Sequence, residues 1–296
     1  MPVLTAIAGA TGIATVLPPY SLADGTYTVS ARQVVSGVQG PLSAPVVFSM
    51  PNPAKSAVQT AIGRMSVAPP AGRAEAMYEC ISSLMAVGVW ARLDVLGVLA
   101  AHHEQAGRLN WIGPAFDLSA YNSPIFAAGR GFKGDGSAAW MAATGYDPSV
   151  GGVKFILDNA CVGAWILTPS TVAGLDVSMG NSRLSRRDTT SDDYHFRIND
   201  GTSYYGTGGS SPGLFVADRA AVLEKRKFVN GVRTGTGATA STGISGSLRL
   251  FSTGSGSWSN AEMAVVFAGG SLTEAQHGAL YAALRSYLVN LGAVAP

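Results

Sequence analysis

Between Gly129 and Pro148 the sequence GRGFKGDGSAAWMAATGYDP sets Gly129, Gly131 and Gly134 in the spacing G-x-G-x-x-G. Glycines so spaced can cradle a phosphate when a strand precedes them and a helix opens on the last, presenting free backbone N–H groups. Neither flank fits. Upstream, NSPIFAA is a short apolar piece containing Pro124, and downstream, TGYDPSVGG is turn chemistry. In a chain with 37 glycines the spacing reads instead as backbone freedom and close approach. No nucleotide is expected.

Other chemistry-bearing residues are equally spare. His102, His103 and Glu104 are contiguous, and helical neighbours point about 100° apart, so they read as a solvated helix end and not as metal ligands. His195 and His277 are isolated. Glycoside cleavage needs two carboxylates roughly 5 to 9 Å apart. Glu75, Glu79, Glu104, Glu224, Glu262 and Glu274 have no acidic residue two positions away, and the adjacent Asp192 and Asp193 would face opposite sides of a strand. GTGSGSWSN is a turn-rich loop, not a strand-to-helix nucleophile elbow. The expectation is no enzyme, no metal and no cofactor.

Binding chemistry is better represented. Sugars are gripped by aromatic rings with Asp, Asn and Arg around them. Tyr204 and Tyr205 lie in the Gly/Ser-rich NDGTSYYGTGG, Trp258 in GSGSWSNAE, and Tyr194 follows RRDTTSDD with Arg187 and Asp188. These six are the candidate carbohydrate-binding residues; each aromatic can equally cover a sheet edge or a subunit interface. The basic runs RLSRRD (Arg183–Asp188) and EKRK (Glu224–Lys227) read as solvated faces, with an acidic surface polysaccharide as the alternative.

What must position such groups is a chain of 296 residues, a length that suggests about two domains. Hydrophobic residues make up 47%, enough for a core, and charged residues 13%, about half the usual share. The net charge of +2 gives no reason to expect nucleic acid or a membrane surface. Cys80 and Cys161 fall in segments of different type, without redox or zinc spacing. The N-terminus lacks a basic n-region and is not read as a signal peptide. Ile81–Ala101 is broken by Arg92 and Asp94, so no membrane span is expected.

Three regions follow from composition. Residues 1–50 hold a β hairpin, DGTYTVSARQVV and PLSAPVVFSM around the turn SGVQG; its G-x-Y-x-V-x-A and S-x-P-x-x-F resemble the last strands of a fibronectin III or immunoglobulin-like module. Such a pair needs a partner chain or neighbouring domain. Residues 51–111 form a helical connector or oligomerisation region, with stripes Val58/Ile62/Met65, Met77/Ile81/Leu84/Met85 and Trp90/Leu93/Leu96/Leu99. Residues 112–296 are β-rich. Strands are predicted at Lys154–Leu157, Ala160–Thr168, Gly174–Met179, Tyr194–Asn199, Gly213–Asp218, Lys225–Val229, Ser247–Ser252 and Ala261–Phe267, with a tight turn at Asn230-Gly231. Many short strands with glycine-rich turns predict a two-sheet sandwich. A terminal helix closes the chain: SLTE (Ser271–Glu274) reads as its capping box, Leu280, Leu284, Leu288 and Leu291 share a face, and Gly292 stops it.

The order of motifs adds a resemblance. F-K-G-D-G-S-x-x-W-M-x-x-T-G-Y-D-P (Phe132–Pro148), V-N-G-V (Val229–Val232) and F-A-G-G-S-L-T-x-x-Q-x-x-x-L-Y-x-A-L-x-x-Y-L-x-x-L-G-A together resemble a domain of tailed-bacteriophage structural proteins. The preceding Gly88–Trp111 resembles their helical lead-in. The resemblance implies a mainly β chain with a C-terminal concanavalin A-like (laminin-G-like) jelly-roll sandwich, in which the glycine turn after Phe132 redirects an early strand. It implies a virion structural protein of tail, fibre or spike type, made in the host cytoplasm and displaying the jelly roll to host-surface carbohydrate. Its partners would be other virion proteins and copies of itself, a trimer by analogy. A purely architectural decoration protein and, behind it, a polysaccharide hydrolase on the same fold are the alternatives.

Overall fold

The computed structural model describes residues 25–35, 38–50, 52–185, 194–206 and 211–296, in two units, Met1–Ser56 and Ala57–Pro296. In the first, β1 (Gly25–Val29) pairs antiparallel with β4 (Val46–Met50), while β2 (Arg32–Val35) and β3 (Val38–Leu42) pair with each other in a separate sheet. The single hairpin expected here is therefore two strand pairs, one connecting the other. Val38, Leu42, Val46 and Val47 are exposed.

The second unit begins within α1 (Pro53–Gly63), which starts at an Asn52 cap whose Oδ1 accepts from Ala54 N–H at 2.9 Å. After α2 (Arg73–Ala86) come β5 (Leu93–Val98), β6 (Leu118–Tyr121), β7 (Ile125–Ala127), β8 (Gly131–Lys133) and β9 (Trp140–Ala143). The middle of the chain supplies β10 (Ala160–Thr168), β11 (Val177–Met179), β12 (Ser182–Ser185), β13 (Tyr194–Arg197) and β14 (Tyr204–Gly206). The remainder is β15 (Gly213–Ala221), β16 (Glu224–Val229), β17 (Val232–Gly237), β18 (Arg249–Leu250), β19 (Glu262–Gly269) and α3 (Glu274–Asn290).

One sheet runs β17-β16-β15-β10-β19-β8-β7, with β5 sharing the free edge of β19; the other runs β14-β13-β12-β11-β18-β9-β6. Every pairing is antiparallel. The chain changes sheet between β5 and β6, β6 and β7, β8 and β9, β9 and β10, β10 and β11, β14 and β15, β17 and β18, and β18 and β19. The result is a jelly-roll-like sandwich whose shared interior includes Val162, Ala164 and Phe215 from one sheet and Met141, Leu184 and Phe196 from the other. On the eight-stranded sheet's back, Trp165 stacks on Tyr281 of α3 at 5.4 Å, and Phe228 on His277 at 3.7 Å.

Several elements differ from the sequence reading. The Trp90/Leu93/Leu96/Leu99 stripe is no helix: Leu93–Val98 is β5, buried at every position. A short run apolar on both faces suits a strand covered on both sides as well as it suits a buried helix. Lys154–Leu157 contributes only an isolated bridge, Ile156 to Asn159. The capping box sits two residues later than SLTE: Thr273 Oγ1 accepts from Gln276 N–H at 3.2 Å, and Thr273 N–H donates to Gln276 Oε1 at 3.0 Å. Among the described residues no helix is long and apolar enough to cross a membrane.

Candidate functional site

Strand register assigns each residue of the seven-stranded sheet to a face. Met141, Leu250, Val177, Leu184 and Phe196 lie in one cross-strand row and in the core. The alternate row, Ser119, Ala142, Arg249, Ser178, Arg183 and Arg197, therefore occupies the outer face. Beside it, Tyr121 on edge strand β6 is directly opposite Trp140 on β9.

These side chains form a ladder. The Tyr121 and Trp140 rings stack with centroids 4.0 Å apart and planes 9° from parallel. The Arg249 guanidinium carbon sits 5.4 Å from the Trp140 centroid, within cation–π range. Arg249 also donates from Nη1 to the Thr253 carbonyl, in the loop after β18. Tyr121 has one face against Trp140 yet remains 42% exposed, so its accessible surface is the side turned to the sheet edge. The site thus offers an apolar ring face bordered by a cation and hydroxyls, including Ser119 Oγ, 2.7 Å from Thr144 Oγ1. No outward position within these strands carries a carboxylate among the described residues; Asp176, just before β11, is buried and accepts from Ser259 Oγ at 2.6 Å.

The residues singled out from sequence do not converge on this ladder. Tyr194 is a correction: it is 2% exposed, in the core, with Phe215 at 4.8 Å, Phe196 at 6.0 Å and the Lys227 ammonium 5.4 Å from its ring. A ring enclosed on these sides offers no face to a sugar. Tyr204 and Tyr205 belong to β14, paired opposite Phe196 and His195. Trp258 is half-buried, in a loop whose Ser257 carbonyl accepts from Leu175 N–H at 2.9 Å. Arg187 and Asp188, like Asp192 and Asp193, lie outside the described residues. Tyr121 and Trp140 were missed as ligand groups. The available signal was alternation: Leu118-Ser119-Ala120-Tyr121 puts an aromatic at an outward strand position.

The basic run EKRK is not a solvated face. Lys225 Nζ donates to Asp200 Oδ2 at 2.8 Å, Arg226 Nε to Asp218 Oδ1 at 3.0 Å, and Lys227 covers Tyr194 and Phe196. Burial lowers the Lys227 pKa. His102 and His103 lie in a bend after β5, not in a helix, and serve different partners: Val67 O lies 2.9 Å from His102 Nε2, and Gln105 N–H donates to His103 Nδ1. Among the described residues no group of His, Cys, Asp and Glu is arranged to hold a metal. The early glycines hold sheet crossings: a Cβ on Gly131 would fall 2.0 Å from Met263 O, and one on Gly134 2.0 Å from Ser259 O. Between them and Trp140, Asp135 accepts from the N–H groups of Ala138, Ala139 and Ser137, and these bonds hold its carboxyl well below the usual range against the opposing effect of desolvation.

No family model and no curated protein sequence matches the chain. Solved structures do. Domain 4 of AbnA, a GH43 extracellular arabinanase from Geobacillus stearothermophilus solved with arabinotriose, aligns with TM-score 0.43 and 11% identity over 64% of this chain and 98% of that one. The binding domain of botulinum neurotoxin serotype D aligns with TM-score 0.49 and 8% identity, over 68% and 53% respectively. A botulinum neurotoxin type C structure, described with cell entry dependent upon two ganglioside molecules, gives 0.49, 11%, 68% and 53%. This chain spans about half the length of those neurotoxin chains. Likeness at this level concerns the architecture alone; the function has to be argued from the ladder.

Proposed function

We propose that this chain is a carbohydrate-binding protein that works by binding and not by catalysis, with its sugar contact at Tyr121, Trp140 and Arg249. The observation that carries this is the open Tyr121 face at the sheet edge, backed by Trp140 and Arg249. A rigid, pre-stacked ring loses little conformational freedom on meeting a pyranose face, which favours affinity. The absence of outward carboxylates on the described strands supports binding over hydrolysis.

The setting we propose is a tailed-phage virion, as a tail or appendage component that meets host-surface glycan and self-associates, a trimer by analogy. That setting rests on the motifs from Phe132 to Pro148 and from Phe267 to Ala293. A glycan array probed with the full chain and with Tyr121→Ala tests the binding. The wild type should retain discrete glycans, and the variant should bind them about five- to tenfold more weakly at unchanged melting temperature. Retention of no glycan favours the architectural reading. Reducing sugar released from a retained polysaccharide would overturn the non-catalytic part, and antibody decoration of particles checks the virion setting.

A further inference from the structure

Resting on that reading of the outer face, we propose that its ligand is an acidic glycan, a chain bearing carboxylates, held at Arg183 and Arg249. Both arginines lie in the outward row, on β18 and β12, with Ser178 of β11 between them, buried and donating from Oγ to the Ser252 carbonyl at 2.6 Å. Arg183 is half-buried, has no hydrogen-bond or ion-pair partner among the described residues, and its Nε is shielded from solvent. Arg249 Nε is likewise shielded and unbonded. Arg197, opposite Arg183, is engaged elsewhere and donates from Nη2 to Ser203 Oγ at 3.0 Å. The described carboxylate nearest this row in sequence register, Asp176, is engaged by Ser259.

A half-buried guanidinium without a counter-ion costs stability, and a bound carboxylate supplies the missing partner through two parallel N–H···O bonds. The spacing suits a polymer. Strands are about 4.8 Å apart, close to the length of one pyranose residue, so Arg183 and Arg249, two strands apart, can meet carboxylates about two sugars apart. Tyr121, in the neighbouring row with Trp140, then takes an apolar ring face beyond Arg249. The whole chain has a net charge of only +2, so this attraction is local and not a general affinity for polyanions.

The test measures binding of the full chain by calorimetry to hyaluronan, polysialic acid and polygalacturonate, to carboxyl-reduced neutral forms of hyaluronan and polygalacturonate, and to single-stranded DNA. The variants are Arg183→Gln, Arg183→Gln with Arg249→Gln, Arg183→Lys and Tyr121→Ala, each checked for folding by thermal melting. We expect at least one carboxylated polymer to bind tenfold or more tightly than its reduced form. Arg183→Gln should weaken it about tenfold, the double variant more. Arg183→Lys keeps the charge but loses the fork, so it should also weaken binding; it decides the matter should the glutamine variant fail to fold. Equal binding of reduced and acidic polymers, with Tyr121→Ala weakening both, overturns the acidic ligand and leaves the sugar site standing. Binding of no polymer overturns both. DNA bound as tightly as the best glycan means charge attraction alone, and overturns the inference.

Discussion

Gly131 and Gly134 show why residue type can be legible where residue role is not. Their spacing matches a phosphate loop, but each is glycine because a backbone carbonyl, that of Met263 in β19 or of Ser259 just before it, occupies the place of a Cβ. The flanking Pro and turn residues point to close backbone approach, and that approach is what the structure shows. Tyr194 is the opposite case. Its position after a polar run suggested exposure, whereas its partners Phe196 and Phe215 come from the strand's own alternation and from a strand further along the chain. Burial also governs the thiols. Cys80 and Cys161 are free and buried, and desolvation pushes Cys80 up to about 12 and Cys161 well above its ordinary value. A raised thiol pKa keeps the neutral, unreactive form. At pH 8 the native protein should therefore react with Ellman's reagent at less than one thiol per chain over an hour, and at two once unfolded in urea. Rapid native labelling would show that the packing around α2 or β10 is not as described.

At the level of elements, α3 is anchored by buried charge as well as by its leucines. Asp218 on β15 accepts from Arg226 Nε at 3.0 Å, Ser271 Oγ at 2.9 Å and Leu272 N–H at 3.0 Å, and lies 3.1 Å from His277 Nε2. Strand β15, its neighbour β16, the lead-in to α3 and α3 itself all meet at this carboxylate. Replacing Asp218 with Asn leaves the buried Arg226 only the exposed Glu224, 3.7 Å away, as counter-charge, a loss of about 3 kcal/mol. Urea denaturation should show the drop; a change under 1 kcal/mol would mean the cluster does not hold the helix. The helix itself was legible, since Leu280, Leu284 and Leu288 recur at its period and are buried. So were β10, from its unbroken apolar run, and the Asn230-Gly231 turn, where both residues adopt positive φ of 50° and 79°. The cap frame was not, because Ser271 and Thr273 both fit the pattern, and Ser271 is instead engaged by Asp218. Neither was EKRK, since its counter-charges, Asp200 and Asp218, come from other segments.

For the whole sandwich, what local sequence does not contain is who lies beside whom. Central strand β19 pairs with β10, β8 and β5, so Val265 is opposite Val98, and Met263 is opposite Phe132. These neighbours are far apart in sequence, and Tyr121, Trp140 and Arg249 likewise come from three separate strands, β6, β9 and β18. Loop closure must be completed before such contacts repay it, which makes topologies of this kind slow. Stopped-flow refolding of the full chain from urea, followed by tryptophan fluorescence, should accordingly have its main phase at milliseconds to seconds or slower. Trp140 and Trp165, one on each sheet, both report on sandwich closure, so replacing either with Phe should remove amplitude from that phase and leave its rate within about twofold. A main phase on the microsecond scale would mean that most stabilising contacts are local, which the antiparallel pairing of β19 with β5 and β8 does not allow.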